Sequence, residues 1–136
     1  MRGAPPDLLQ RVPLFADLER RELERLAESF KESAFEPGDV IATEGQGGAG
    51  FFVIAEGEAT VTVAGSERTR LHSGDYFGEV ALIDQGARTA TVTAATPLRL
   101  YGLTSWEFRP LVESNASIAW KLLETMAKRL RSAQKH

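Results

Sequence analysis

Between about Phe35 and Leu103 the apolar residues of this chain recur with a period of two and are cut at short intervals by glycine, while on both flanks they recur with the period of a helix. Successive side chains of a strand point to opposite faces, so such a stretch is confined to short β-strands joined by tight turns. Pro37-Gly38-Asp39 signals a turn, and Val40 to Thr43 reads as the strand after it. Gly45, Gly47, Gly48 and Gly50 mark a loop that needs positive φ or a close backbone approach. Phe51 to Ala55 reads as a buried strand, ended by Gly57. Ala59, Val61 and Val63 alternate with Thr60 and Thr62; Gly65-Ser66 breaks the pattern, and Arg68 to Leu71 resumes it up to Gly74-Asp75. From Thr89 to Ala94 the threonines face out while Ala90, Val92 and Ala94 face in, and after Pro97 a last strand runs from Leu98 to Leu103. Strands this short and regularly spaced close into a sandwich or a barrel-like roll.

Helices flank them. Pro5 and Pro6 suit the first positions of a short helix. Asp17 stands where an N-cap would, ahead of Leu18, Leu23, Leu26, Ala27 and Phe30, the last four sharing a helical face. The charges from Glu19 to Glu28 mix both signs on the other side and read as a solvated surface. After Leu103, Trp106, Phe108 and Leu111 suit one short helix, and Asn115 or Ser117 can cap the next. Along that long amphipathic helix Ile118, Leu122, Met126 and Leu130 recur every four residues. Lys128, Arg129, Arg131 and Lys135 gather at its end, where cations complement the helix dipole.

Bulk properties remove several function classes. With 136 residues the chain reads as a single domain, 1–136, able to bury one core without disulfides or metals. Cysteine is absent, which excludes a disulfide framework and Cys-ligated zinc and suits a reducing cytoplasm. No apolar run is long enough to span a membrane, and Met1 to Leu9 has no signal-peptide pattern. A net charge of -3 argues against general nucleic-acid binding but leaves room for one anionic ligand held by one buried cation. A metal-dependent enzyme on a related β-roll needs several histidines and a carboxylate; the chain has only His72 and His136, and no cysteine or Gly-x-Ser-x-Gly nucleophile. No enzyme activity, cofactor or metal is expected.

One segment breaks the strand pattern: Phe77-Gly78-Glu79-Val80-Ala81-Leu82-Ile83-Asp84-Gln85-Gly86-Ala87-Arg88-Thr89-Ala90. Gly78 permits close backbone approach. Glu79 to Ile83 can form about one helical turn, whose first amides lack internal partners and favour an anion. Arg88 adds a full positive charge on a planar fork suited to phosphate oxygens, and Glu79 offers an acceptor for sugar hydroxyls. Taken alone, Glu79 and Arg88 could equally form a structural ion pair.

Gly78-Glu79-Val80-Ala81-Leu82 followed by Arg88-Thr89-Ala90 resembles the phosphate-binding cassette of cyclic-nucleotide-binding domains, of the type in bacterial cAMP-receptor transcription factors and the regulatory subunits of cAMP-dependent kinase. Pro37 to Ile41, Glu44-Gly45, Phe52 to Ile54 and Gly57 to Ala59 resemble the first half of the same roll, and Leu14-Phe15 with Leu18 and Leu23 its helical entry. Ala87 departs from the pattern, which usually has proline before the arginine. The resemblance implies a mainly β fold with flanking α-helices: a double-stranded antiparallel, jelly-roll-like β-roll with N-terminal helices, a short phosphate-binding helix and a long C-terminal helix. The helical entry then covers 1–33, the roll 34–103 with its cassette at 77–90, and the hinge and lid helices 104–136.

It also implies site roles. Arg88 would pair with the cyclic phosphate, and Glu79 with the ribose hydroxyl, beside Gly78. Amides of Ala81, Leu82 and Ala90 would hold oxygens; Thr89 would bond the phosphate or base edge; Val61 would lie against the base. The expected ligand is cAMP, with cGMP open because of Thr89. The expected protein is a non-catalytic sensor, cytoplasmic, that couples binding to movement of its C-terminal helix and acts on a fused or separate effector. Leu82 and Ile83 would move against Trp106, Phe108 and Leu111. Ile118, Leu122, Met126 and Leu130 are a candidate homodimer row, and no DNA contact by this chain is expected, as no reader helix follows the long one. The alternative is a degenerate roll that serves protein interaction or dimerisation without nucleotide.

Overall fold

A computed structural model describes residues 3–47, 50–78, 81–84 and 86–134, without the side chain of Asp84. The chain opens with helix α1 (Pro6–Gln10), a 3-10 turn (Pro13–Phe15) and helix α2 (Arg20–Ala27). Pro6 and Pro13 both sit in the first turn, where a missing N–H costs nothing. The N-cap of α2 is Glu19 and not Asp17: the Glu22 carboxylate reaches back to accept the Glu19 amide at 2.8 Å. Asp17 instead faces the far end of the chain.

Among the described residues eight strands follow in two antiparallel sheets. One has the order β1 (Lys31–Phe35), β8 (Leu98–Thr104), β3 (Gly50–Glu56) and β6 (Tyr76–Phe77). The other has β2 (Val40–Ala42), β7 (Thr91–Ala94), β4 (Ala59–Val63) and β5 (Ser66–Leu71). β1 begins inside the segment read as helical, and β7 begins only at Thr91, leaving Thr89 and Ala90 in a bend. Helix α3 (Ala81–Asp84) lies between β6 and β7; α4 (Ser105–Glu113) and α5 (Ala116–Ala133) close the fold. Glu107 accepts both the amide and the hydroxyl of Thr104, which sets the start of α4.

The central strands β3 and β8 are apolar on both faces because they separate two cores. Ile54, Leu98 and Leu100 face the second sheet and pack with Ala42, Ala59, Val92 and Ala94. Phe51, Val53 and Leu103 face the helices and pack with Leu14, Phe15, Leu23, Leu26 and Phe30. The Phe51 ring meets Phe15 and Phe30 edge-on at 5.7 and 5.9 Å. Helix α5 belongs to this helical core: Ile118 and Leu122 are buried in it, and Met126 is half-buried against it. Two members of the candidate dimer row are thus spent on intramolecular packing, and of that row only Leu130 is exposed. The apolar surface that α5 leaves to solvent is Trp120, Leu123 and Leu130. Among the described residues no helix is long and apolar enough to cross a membrane.

Candidate functional site

The site is built where β2, β6 and β7 approach the start of β3. The Arg88 amide donates to the Gln46 carbonyl at 2.9 Å, and its carbonyl accepts the Gly45 amide at 2.8 Å. Ala87 bridges to Gly47 alongside. These bonds tie the segment before β7 to the turn after β2 and fix the Arg88 backbone on both sides. The side chain then crosses to β3, where Nη2 donates to the Gly50 carbonyl at 2.6 Å. Burial pulls the guanidinium pKa down, yet an arginine stays charged at any physiological pH. A partly buried cation attracts an anion more strongly than the same charge in water.

Gly78 is demanded by this arrangement. Its φ is +86°, and a Cβ would lie 2.5 Å from Arg88 Nη1 and 2.5 Å from the Gly50 carbonyl oxygen. The glycine therefore lets the guanidinium lie against the chain.

A cavity of about 260 Å³ opens over these groups. Of the sequence-predicted residues, Gly78, Ala81, Arg88, Thr89 and Ala90 line it together. Leu82 and Val61 do not. Leu82 is turned into the helical core with Phe108, Ile118 and Leu122. Val61 is half-buried against the second core, one strand away, paired with Val92, which does line the cavity. The Ala81 amide, expected to hold ligand oxygens, donates to the Gly78 carbonyl at 3.1 Å. Glu79, the expected ribose acceptor, lies outside the described residues.

Ala42, Phe77, Gly86, Ala87 and Val92 complete the described lining. They went unread as site residues because they carry no chemical group; they supply the apolar wall. Phe77 stacks obliquely on Phe52, with centroids 5.2 Å apart. Among the described lining residues only Arg88 and Thr89 have polar side chains. One cation, one hydroxyl and an apolar wall suit a ligand with one anionic end and a flat apolar body. No residue of α5 lines the cavity. The expected hinge contacts are realised in part: Leu82 and Phe108 share the helical core and Leu111 packs on it, but Trp106 is 69% exposed.

Comparison with known proteins gives the family. Residues 32–115 match the family described as cyclic nucleotide-binding domain. The chain is 41% identical over 106 residues to a cAMP-dependent protein kinase regulatory subunit of Yarrowia lipolytica, a match covering 76% of this chain and 28% of that protein. It thus spans less than a third of that curated relative. Among solved structures it is similar to the N-terminal domain of a transcriptional regulator from Streptomyces coelicolor, with a TM-score of 0.86 and 32% identity over 94% of this chain and 95% of that one. It is also similar to cAMP-bound PfPKA-R (141-441), with a TM-score of 0.69 and 27% identity over 96% of this chain and 46% of that one. The matched span and the roll agree, and the chain belongs to the cyclic nucleotide-binding domain family, whose role is regulatory and not catalytic.

Proposed function

We propose that this chain is a sensor of cAMP, with cGMP as the competing ligand, and that binding is read out by α5. The observation that carries the reading is the Arg88 guanidinium, held over Gly78 by a neutral carbonyl at the base of a cavity whose other described lining side chains, Thr89 apart, are apolar. Arg88 takes the cyclic phosphate. Gly78 and the backbone around Ala81, Leu82 and Ala90 hold remaining phosphate or sugar oxygens. Glu79 takes the ribose hydroxyl, and Thr89, at the exposed rim, bonds the phosphate or the base edge and bears on the choice of base. The base lies along the wall formed by Val92 and Phe77, with Val61 behind it in the sheet. The cAMP-bound neighbour supports cAMP as the first ligand to test.

The readout is a move of α5 toward the open side of the cavity, acting on a fused or separate effector in the cytoplasm without DNA contact by this chain. A second copy of the chain is the partner assigned to the exposed Trp120, Leu123 and Leu130 stripe.

Calorimetric titration with cAMP and with cGMP tests the reading, beside Arg88→Ala. A charge-assisted phosphate contact is worth about 1.5–3 kcal/mol, so the variant should lose at least roughly tenfold in affinity and keep its melting temperature. Binding of neither nucleotide would leave a degenerate roll that serves protein contact alone. Unfolding of the variant would assign Arg88 to structure.

A further inference from the structure

A line of polar contacts joins helix α5 to the N-terminal segment. At its start the Arg25 Nη1 donates to Asn115 Oδ1 at 2.6 Å. Two residues on, the Ser117 hydroxyl donates to Glu22 Oε2 at 2.7 Å, and about one turn further Lys121 Nζ donates to Glu22 Oε1 at 2.8 Å. Further along, the Thr125 hydroxyl and Lys128 Nζ both donate to Asp17 Oδ2, at 3.3 and 3.2 Å. Positions 117, 121, 125 and 128 fall on one face of a helix, beside the buried Ile118 and Leu122. Apolar contact alone lets a helix slide or roll; directional bonds at three successive turns specify one seat.

The central pair differs from an ordinary surface bridge. The Lys121 and Glu22 side chains are only 26% and 12% exposed, so solvent screens them weakly. The Asp17–Lys128 pair is 50% and 73% exposed and contributes less.

We propose that this strip is an autoinhibitory latch: Glu22 and Asp17 hold α5 in the seat that leaves the nucleotide cavity uncovered, and they set the apparent nucleotide affinity from outside the cavity. The proposal rests on the reading of the chain as a nucleotide sensor with a moving α5. A protein whose binding-competent arrangement is only partly populated binds with an affinity reduced by that fraction. Weakening the seat raises the fraction and tightens binding without touching any residue of the cavity.

The test removes both ion pairs of the latch from the α5 side, with Lys121→Met and Lys128→Met together, so that the Glu22 bond capping α2 survives. The chain has no cysteine, so spin labels at Arg21→Cys and Ser132→Cys report the α2–α5 distance alone. In the nucleotide-free protein the double variant should show a longer or broadened distance, and its cAMP Kd should fall roughly threefold or more. An unchanged distance overturns the latch. A lengthened distance with unchanged or weaker cAMP binding overturns its control of affinity. Failure of the parent protein to bind cAMP or cGMP overturns the sensor reading instead, and the distance still decides whether the strip holds α5. If the double variant melts before measurement, Ser117→Ala with Lys121→Arg replaces it; that pair loses one latch bond and keeps the charge, and an unchanged distance and Kd there overturns the proposal.

Discussion

Glu22 accepts hydrogen bonds from the amide that opens α2 and from a hydroxyl and an ammonium on α5. Burial works to raise its pKa, but the bonds from Lys121, the Glu19 amide and Ser117, with the Lys121 charge, outweigh it and hold the carboxyl at about 2 against the usual 4.5. The folded value lies below the unfolded one, so the ionised form stabilises the fold. That contribution is complete above about pH 4.5 and is lost as the pH falls toward about 2. Thermal melts across this window should show the parent protein losing stability steeply, while Glu22→Gln, less stable near neutrality, loses less. Parallel curves would show that the bonds do not form in solution. None of this was legible in the sequence, where Glu22 is one of several mixed charges on a solvated face and Lys121 stands 99 residues away. Arg88 was legible because its chemistry is local: glycine, a short helical turn and an arginine within one segment. Its Gly50 anchor was not, since a backbone carbonyl leaves no trace in residue type.

At the scale of an element, α5 carries two apolar stripes, and the four-residue spacing picked out one that the protein uses internally. The other runs Trp120, Leu123, Ala127, Leu130, with the alternating three- and four-residue steps of a coiled-coil seam, and all four are exposed. If a second copy packs there, Leu123→Glu should convert a dimer to a monomer in sedimentation equilibrium with little change in melting temperature. A monomeric parent protein at micromolar concentration would remove the stripe from consideration. Two strands escaped the sequence reading for a plain reason. β1 is Lys-Glu-Ser-Ala-Phe at a sheet edge, with no fully buried residue to set a period. β6 has two residues, too few for any period. The central strands β3 and β8 were easy because burial on both faces makes them continuous apolar runs.

For the molecule as a whole, the decisive feature is that α3 borders both the cavity and the helical core. Ala81 lines the cavity, while its neighbour Leu82 is 3% exposed among Phe108, Ile118 and Leu122. On the proposed sensor reading, a shift of one or two ångströms at the phosphate would press on α4 through α3, and through α4 on α5, without crossing either sheet. A close-packed interior passes on such a shift, because it has no free volume to absorb it. Leu82→Ala breaks the connection at its only buried side chain beyond the cavity wall on the described part of α3. It should cost about 2–4 kcal/mol of stability, as deletion of a buried leucine does. Because Leu82 does not line the cavity, cAMP affinity should change by less than about tenfold, a shift of under ~1.4 kcal/mol. The nucleotide-induced change in the α2–α5 distance should shrink or vanish. Leu82→Met, which keeps the volume, should restore that change. An undiminished change in the alanine variant would mean that the signal reaches α5 by a route other than α3, such as direct contact between the nucleotide and the helix.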